Sequence, residues 1–282
     1  MTYLISFAGI TAMIVALCLY EATSNVRTSW SIASQFTMSR AVLQNQTQAK
    51  AKALWERAIV AKGGRERLHS IYNLVVSTET AYLTRTGRRN QVRREYLFVF
   101  PDKYWSYEDY GSDVFGTRMQ MLNYETKMQY VGSPGHPETI LEPIKGLKRN
   151  KDINYLEIGL LLETKWQQPI AIKASTGLIG SKRVDVVETR INGRRVDFAL
   201  DREMHLPIRI SFYNAINNKT YIDVQQFSDY VEVAGIRVPQ RSKFEDGTEQ
   251  KSVIQFNVEY NPAIFVKPPA LGLGQKAWQP KS

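Results

Sequence analysis

The sequence predicts an α+β protein: a curled antiparallel sheet forming an incomplete, half-closed β-barrel, with helices packed in its concave side and an apolar helix ahead of it at the N-terminus. Three observations carry this. From Ser70 onward the hydrophobic pattern repeats every second residue through about a dozen short runs separated by turn signals. Only two stretches after the first apolar segment carry a helical period. A sheet of so many strands twists too far to stay flat, so it bends around whatever fills it.

The chain has 282 residues, 43% of them hydrophobic, enough for a core in one large or two small domains. A formal charge of +10 favours anionic surfaces, phospholipid head groups or nucleic acid alike. The basic residues fall in clusters at turns and strand edges, Arg85/Arg88/Arg89/Arg93/Arg94, Lys145/Lys148/Arg149/Lys151 and Lys182/Arg183/Arg190/Arg194/Arg195, where solvated charge also guards edges against pairing. Cys18 is the only cysteine, so no intramolecular disulfide or cysteine metal site is available. It ends an apolar run in the manner of a lipoprotein signal, but Leu17 stands where such signals carry a small residue.

Residues 1–24 read as a signal peptide or a membrane anchor. Tyr3–Tyr20 holds no charge and is just long enough to span a bilayer, and Ala22 and Ser24 would suit cleavage. Either reading sends the rest of the chain out of the cytoplasm, into the periplasm or cell envelope. Asn25–Gln48 is a polar tether. Ala49–Lys62 is rich in helix formers with Leu54, Ala58 and Ala61 on one face and Trp55 and Ile59 beside them. Gly63-Gly64 stops this helix, and Lys62, Arg65 and Arg67 place positive charge at the negative end of its dipole.

Strands are predicted at Ile71–Thr86, Arg88–Phe100, Lys103–Tyr110, Val114–Tyr124 and Lys127–Val131. The first has apolar residues on both sides, Leu74 and Val76 opposite Val75, so both of its faces are covered. Gly132–Glu142 reads as a loop with two prolines. The second helix is expected at Ile153–Trp166, where Ile153, Tyr155, Leu156, Ile158, Leu160, Leu161 and Leu162 wrap most of the circumference and demand burial against the sheet. A second run of strands occupies Gln168–Tyr260. In it Val196, Phe198 and Leu200, then Ile208, Ile210 and Phe212, share a face, and Asn192-Gly193 marks a hairpin turn. The last strand, Ser252–Tyr260, would set Ile254, Phe256, Val258 and Tyr260 on one side, with an irregular tail from Phe265.

Four segments resemble a known family. The helix end AKGGRERLHSI, the corner LDREMHLPIRI at Leu200–Ile210, the segment FSDYVEVAGIRVPQRSKFEDG at Phe227–Gly247 and the closing NPAIFVKPP are similar to the bacterial outer-membrane lipoprotein-sorting proteins, the LolA/LolB-like group. The likeness covers roughly Lys50–Pro269 in a domain taken as 49–269, followed by an irregular 270–282. It implies a half-barrel that holds the acyl chain of a lipid or lipoprotein between helices and sheet, in a carrier or sorting role. A sensor of envelope stress, acting through an envelope protein partner, would use the same fold.

No HExxH, GxSxG, P-loop or GxGxxG after a strand occurs, and His69, His136 and His205 have no metal-ligand spacing. Each histidine reads as a surface or capping residue. Glu108, Asp109 and Asp113 read as hairpin charges facing water. No enzyme, cofactor or metal is expected. The aromatic and arginine run from Tyr96 to Tyr110 could stack on single-stranded nucleic acid, but export argues against that partner, and strand propensity explains it. An acyl chain would instead be lined by Leu156, Leu160 and Leu161 on the helix and Phe198, Leu200, Ile210 and Phe212 on the sheet, beside an anionic membrane surface that meets the basic rim. The same seven side chains would equally close a dry core.

Overall fold

The computed structural model describes residues 45–83, 89–110, 117–123, 125–126, 128–133, 136–143, 159–191, 193–216, 219–266 and 278–279. The expected anchor at Tyr3–Tyr20, the tether before residue 45 and Leu156 lie outside them. Among the described residues no helix is long and apolar enough to cross a membrane. By its contacts the chain divides into Met1–Ala49 and Lys50–Ser282, and the sheet belongs to the second unit.

Two meanders make one sheet. The first is β1 (Asn73–Leu83), β2 (Arg89–Val99), β3 (Lys103–Asp109), β4 (Thr117–Asn123), β5 (Met128–Ser133) and β6 (His136–Pro143). The second is β7 (Ile170–Ile179), β8 (Lys182–Ile191), β9 (Arg194–Asp201), β10 (Pro207–Ile216), β11 (Lys219–Val233), β12 (Ile236–Phe244) and β13 (Glu249–Phe256). Antiparallel pairing of β1 with β13 joins them into an open 13-stranded sheet whose outermost strands are β6 and β7. One buried cluster takes in Leu122 of β4, Val76 of β1, Ile254 of β13 and Ala174 of β7. Strands so far apart in the sheet share a core only because the sheet curls, as its length requires.

The part of helix α1 (45–62) that belongs to the second unit, residues 50–62, lies on the concave side, where Ala51, Leu54, Trp55, Ala58 and Ile59 are all buried. It continues into the short α2 (Arg65–His69). The break between them is a close approach. Gly63 has φ 134°, and a Cβ there would stand 2.3 Å from the Gly235 carbonyl oxygen, so only glycine lets the helix end rest on the β11–β12 turn. The β9–β10 corner is held by Asp201, whose Oδ1 accepts the N–H groups of Glu203 and Met204, both at 2.8 Å.

Five sequence expectations change. Gly132–Glu142 is not a loop: the chain pairs through Ser133 and returns as β6, an edge strand in which Pro137 does not interrupt an inner hydrogen-bond ladder. The second helix ends early. Of its described residues only 159–161 are helical, and the chain leaves the helix at Leu162, φ 69°. Residues 153–158 lie outside the described residues. The last strand breaks at Asn257, φ 53°, which turns Val258 and Tyr260 away from the face of Ile254. The tail is not wholly irregular, since Pro262–Phe265 forms a 3-10 turn and β15 (Trp278–Gln279) pairs with β14 (Glu259–Tyr260). The basic run of β2 sits inside the sheet rather than at an edge, with Arg93 paired to Glu79 at 3.2 Å and Arg94 to Glu108 at 3.5 Å.

Candidate functional site on the concave face

Six of the seven residues expected to line a ligand site fall in one buried cluster. Leu160 and Leu161 come from the turn at 159–161, Phe198 and Leu200 from β9, and Ile210 and Phe212 from β10, none more than 6% exposed. The strand pairs meet by register, with Ile210 opposite Phe198 and Phe212 opposite Val196. Gly159 allows the turn to come down on the sheet: a Cβ there would be 3.3 Å from the Phe227 ring and 3.5 Å from the Ile210 methyl.

Two further side chains join the site that the sequence pattern does not assign to it. Trp55 of α1 meets Phe198 edge to face at 4.9 Å, and Phe227 of β11 stands beneath Gly159. The signal for Trp55 was its place beside the apolar stripe of the first helix. For Phe227 it is alternation with the exposed Gln226 and Ser228 along β11.

The filling leaves little room. Where Leu160 meets Val76, Phe227, Gln225, Ser242, Gln250 and Ser252 there is a void of about 10 Å³, the scale of a single water molecule. A cleft of about 580 Å³ lies between Ile179, Met204 and Ile208 on one side and β11 and β12 on the other, and Phe227 and Ser242 belong to both walls. Its cations are paired: Arg241 with Asp229 at 2.7 Å, Lys243 with Glu249 at 3.6 Å, and Lys182 with Asp201.

The turn is tied down at Glu163. This carboxylate is 2% exposed, and its Oε1 accepts from Arg65 Nε at 2.7 Å and lies 3.1 Å from His69 Nε2. Glu56 and Glu163 together raise the Arg65 pKa further, so this guanidinium stays charged. His69 is therefore more than a surface residue, because it fastens the turn to α2. The next residues close on themselves: Thr164 N–H donates to the Gln167 carbonyl and Gln167 N–H to the Thr164 carbonyl. His205 sits in the β9–β10 corner, φ 58°, with its N–H on the Asp201 carbonyl.

Lys62 behaves differently from the helix-end cation the sequence suggests. Its side chain is fully buried, its Nζ has no hydrogen-bond partner among the described residues, and it stands 5.1 Å from the centre of the Tyr230 ring. Burial pushes its pKa down to about 7. Burial also raises the Tyr230 phenol, whose O–H donates to the Pro207 carbonyl at 2.6 Å.

Among the described residues no cluster of three or more His, Cys, Asp or Glu could hold a metal ion.

These features define a class: an open, curled antiparallel sheet whose concave side is occupied by a helix and a short helical turn. No family model and no curated protein matches the chain. Solved structures do. An outer membrane lipoprotein-sorting protein domain from Vibrio parahaemolyticus aligns over 76% of this chain and 97% of its own, at 12% identity and TM-score 0.45. A LolA superfamily protein from Nitrosomonas europaea aligns over 77% and 97%, at 14% identity and TM-score 0.46. A DUF1329 family protein from Desulfovibrio piger aligns over 76% and 96%, at 14% identity and TM-score 0.48. Two of these structures carry names from the group that the sequence motifs resemble.

Proposed function

We propose that this protein is an exported cell-envelope protein that holds the acyl chains of a lipid or lipoprotein non-covalently against the concave face of its sheet. The observation that carries the reading is how that face is closed. Strand pairing does not close it. A separate short turn, Gly159–Leu162, lies on it, and the packing gap of about 10 Å³ sits where Leu160 meets the strands. An acyl chain enters by displacing Leu160 and Leu161 and taking over their contacts with Phe198, Ile210 and Phe227. Each methylene so buried contributes about 0.8 kcal/mol. The net charge of +10 draws the carrier to the anionic membranes from which such ligands come.

Titrating the full-length chain with a fluorescent fatty acid tests this. Saturable binding that unlabelled palmitate displaces is the expected result, and no saturable binding overturns the reading.

A further inference from the structure

The concave face is not uniform along its strands. Near α1 its inward positions are apolar, Leu74 and Val76 on β1 and Ile254 on β13. Two residues further on, the inward positions become polar. Thr78 lies opposite Ser252, and Thr80 lies opposite Gln250, which in turn faces Ser242 of β12. All five are between 2% and 9% exposed.

Such a belt inside a core is unfavourable unless its groups have partners. The Gln250 amide reaches Ser252 Oγ at 3.5 Å, but Thr78 Oγ1 and Thr80 Oγ1 have no hydrogen-bond partner among the described residues. A water in the small void would serve Gln250, Ser242 and Ser252, which line it. The two threonines do not belong to its walls. They are two donors on one strand, two residues or about 7 Å apart. The belt begins where the apolar half under Leu160 stops. On its other side the row continues from Thr78 to Arg94 and on to Glu108, an ion pair at 3.5 Å whose side chains are 24% and 21% exposed.

We propose that Thr78 and Thr80, with Gln250 beside them, form the subsite for the ester or amide carbonyls of the bound acyl lipid. This rests on the acyl-binding reading above and specifies its ligand. An alkyl chain has no polar atom until its carbonyl, and a chain lying in the apolar half brings that carbonyl to the belt. The hydroxyls donate and the carbonyl oxygens accept. The head group then lies toward Arg94 and Glu108.

The experiment compares two short-chain phosphatidylcholines of equal length, one ester-linked and one ether-linked, in competition with a fluorescent fatty acid on the full-length chain. The ester lipid is expected to bind about tenfold tighter, since a site built to donate to a carbonyl loses those bonds with the ether. In Thr78→Val with Thr80→Val, near in shape and without the orphaned hydroxyls, both lipids should bind alike, near the ether value, with the thermal midpoint kept or raised. Equal binding of both lipids to the native chain, or an ester preference that survives in the double variant, overturns the subsite alone. Failure of the probe and of both lipids to bind overturns the subsite together with the acyl-binding reading.

Discussion

The inner and outer faces of strands β1–β4 are both apolar, but different parts of the chain cover them. Inside, Leu74, Val76, Phe98, Tyr104 and Leu122 meet α1 and the turn at 159–161 in a cluster that reaches across the sheet to β7. Outside, Val75, Leu97, Val99, Trp105, Met119 and Met121 cluster, among the described residues, with the C-terminal Val258, Ile264 and Phe265, with Tyr107 and Tyr260 at the margin. The outer cover is held by a polar clasp at one end. Asn73 Nδ2 donates to the Val258 carbonyl and Val258 N–H donates to Asn73 Oδ1, both at 2.8 Å. The outer patch is thus sealed by hydrogen bonds to the segment that follows β13 directly in sequence, after the break at Asn257. Part of the inner cover, the turn at 159–161, is a separate segment tied, among the described residues, at Glu163, which makes it the part suited to exchange with the proposed ligand.

The largest effect is expected from Trp55→Ala. It removes the ring that packs on Phe198 at 4.9 Å and leaves a cavity in the inner cluster, at a cost of about 3–5 kcal/mol in urea unfolding. Phe265→Ala should cost less, about 2 kcal/mol, because the 3-10 turn that bears it can detach locally. Hydrogen exchange separates the two cases: it should speed up only in Val258–Val266 for Phe265→Ala, and across α1 and β9 for Trp55→Ala. Uniform acceleration in both variants would erase the distinction between the two covers.

Lys62 gives the inner region a pH signature. Its folded pKa of about 7 lies below the value of 10.5 expected in the unfolded chain, so between these the unfolded state binds more protons. Stability should therefore rise with pH through that window, by up to about 1 kcal/mol per pH unit, and be lost as pH falls to 7. Lys62→Met should flatten this slope when melting is followed from pH 7 to 9, and an unchanged slope would assign it elsewhere. The smallest effect belongs to Glu163→Gln. Its partner Arg65 is 44% exposed and keeps Glu56 at 2.9 Å, so solvent and the second carboxylate hold the loss to about 1 kcal/mol. Equilibrium unfolding measures it, and a loss above about 3 kcal/mol would mark a truly buried pair.

The sequence made the strand pattern legible because alternation is local. Val196, Phe198 and Leu200 could be assigned to one face without knowing what lay above them, and the covered double face of β1 showed in Val75 set between Leu74 and Val76. Two of the failures are positions where backbone conformation overrides the local pattern. Asn257 and Leu162 both take positive φ, and nothing in their neighbours' hydropathy announces it. The candidate site was legible to the same extent. Its sheet residues followed from period, whereas the contributions of Trp55 and Phe227, the polar belt at Thr78 and Thr80, and the buried Lys62 depend on which distant strand or helix lies opposite, which no local pattern encodes.

Photolabelling tests the central claim most directly. A diazirine-bearing fatty acid irradiated with the full-length chain should modify peptides containing Leu160, Phe198, Ile210 and Phe227, and excess palmitate should suppress the labelling. Labelling confined to the outer segment Val258–Phe265, or labelling that palmitate does not suppress, would contradict the account.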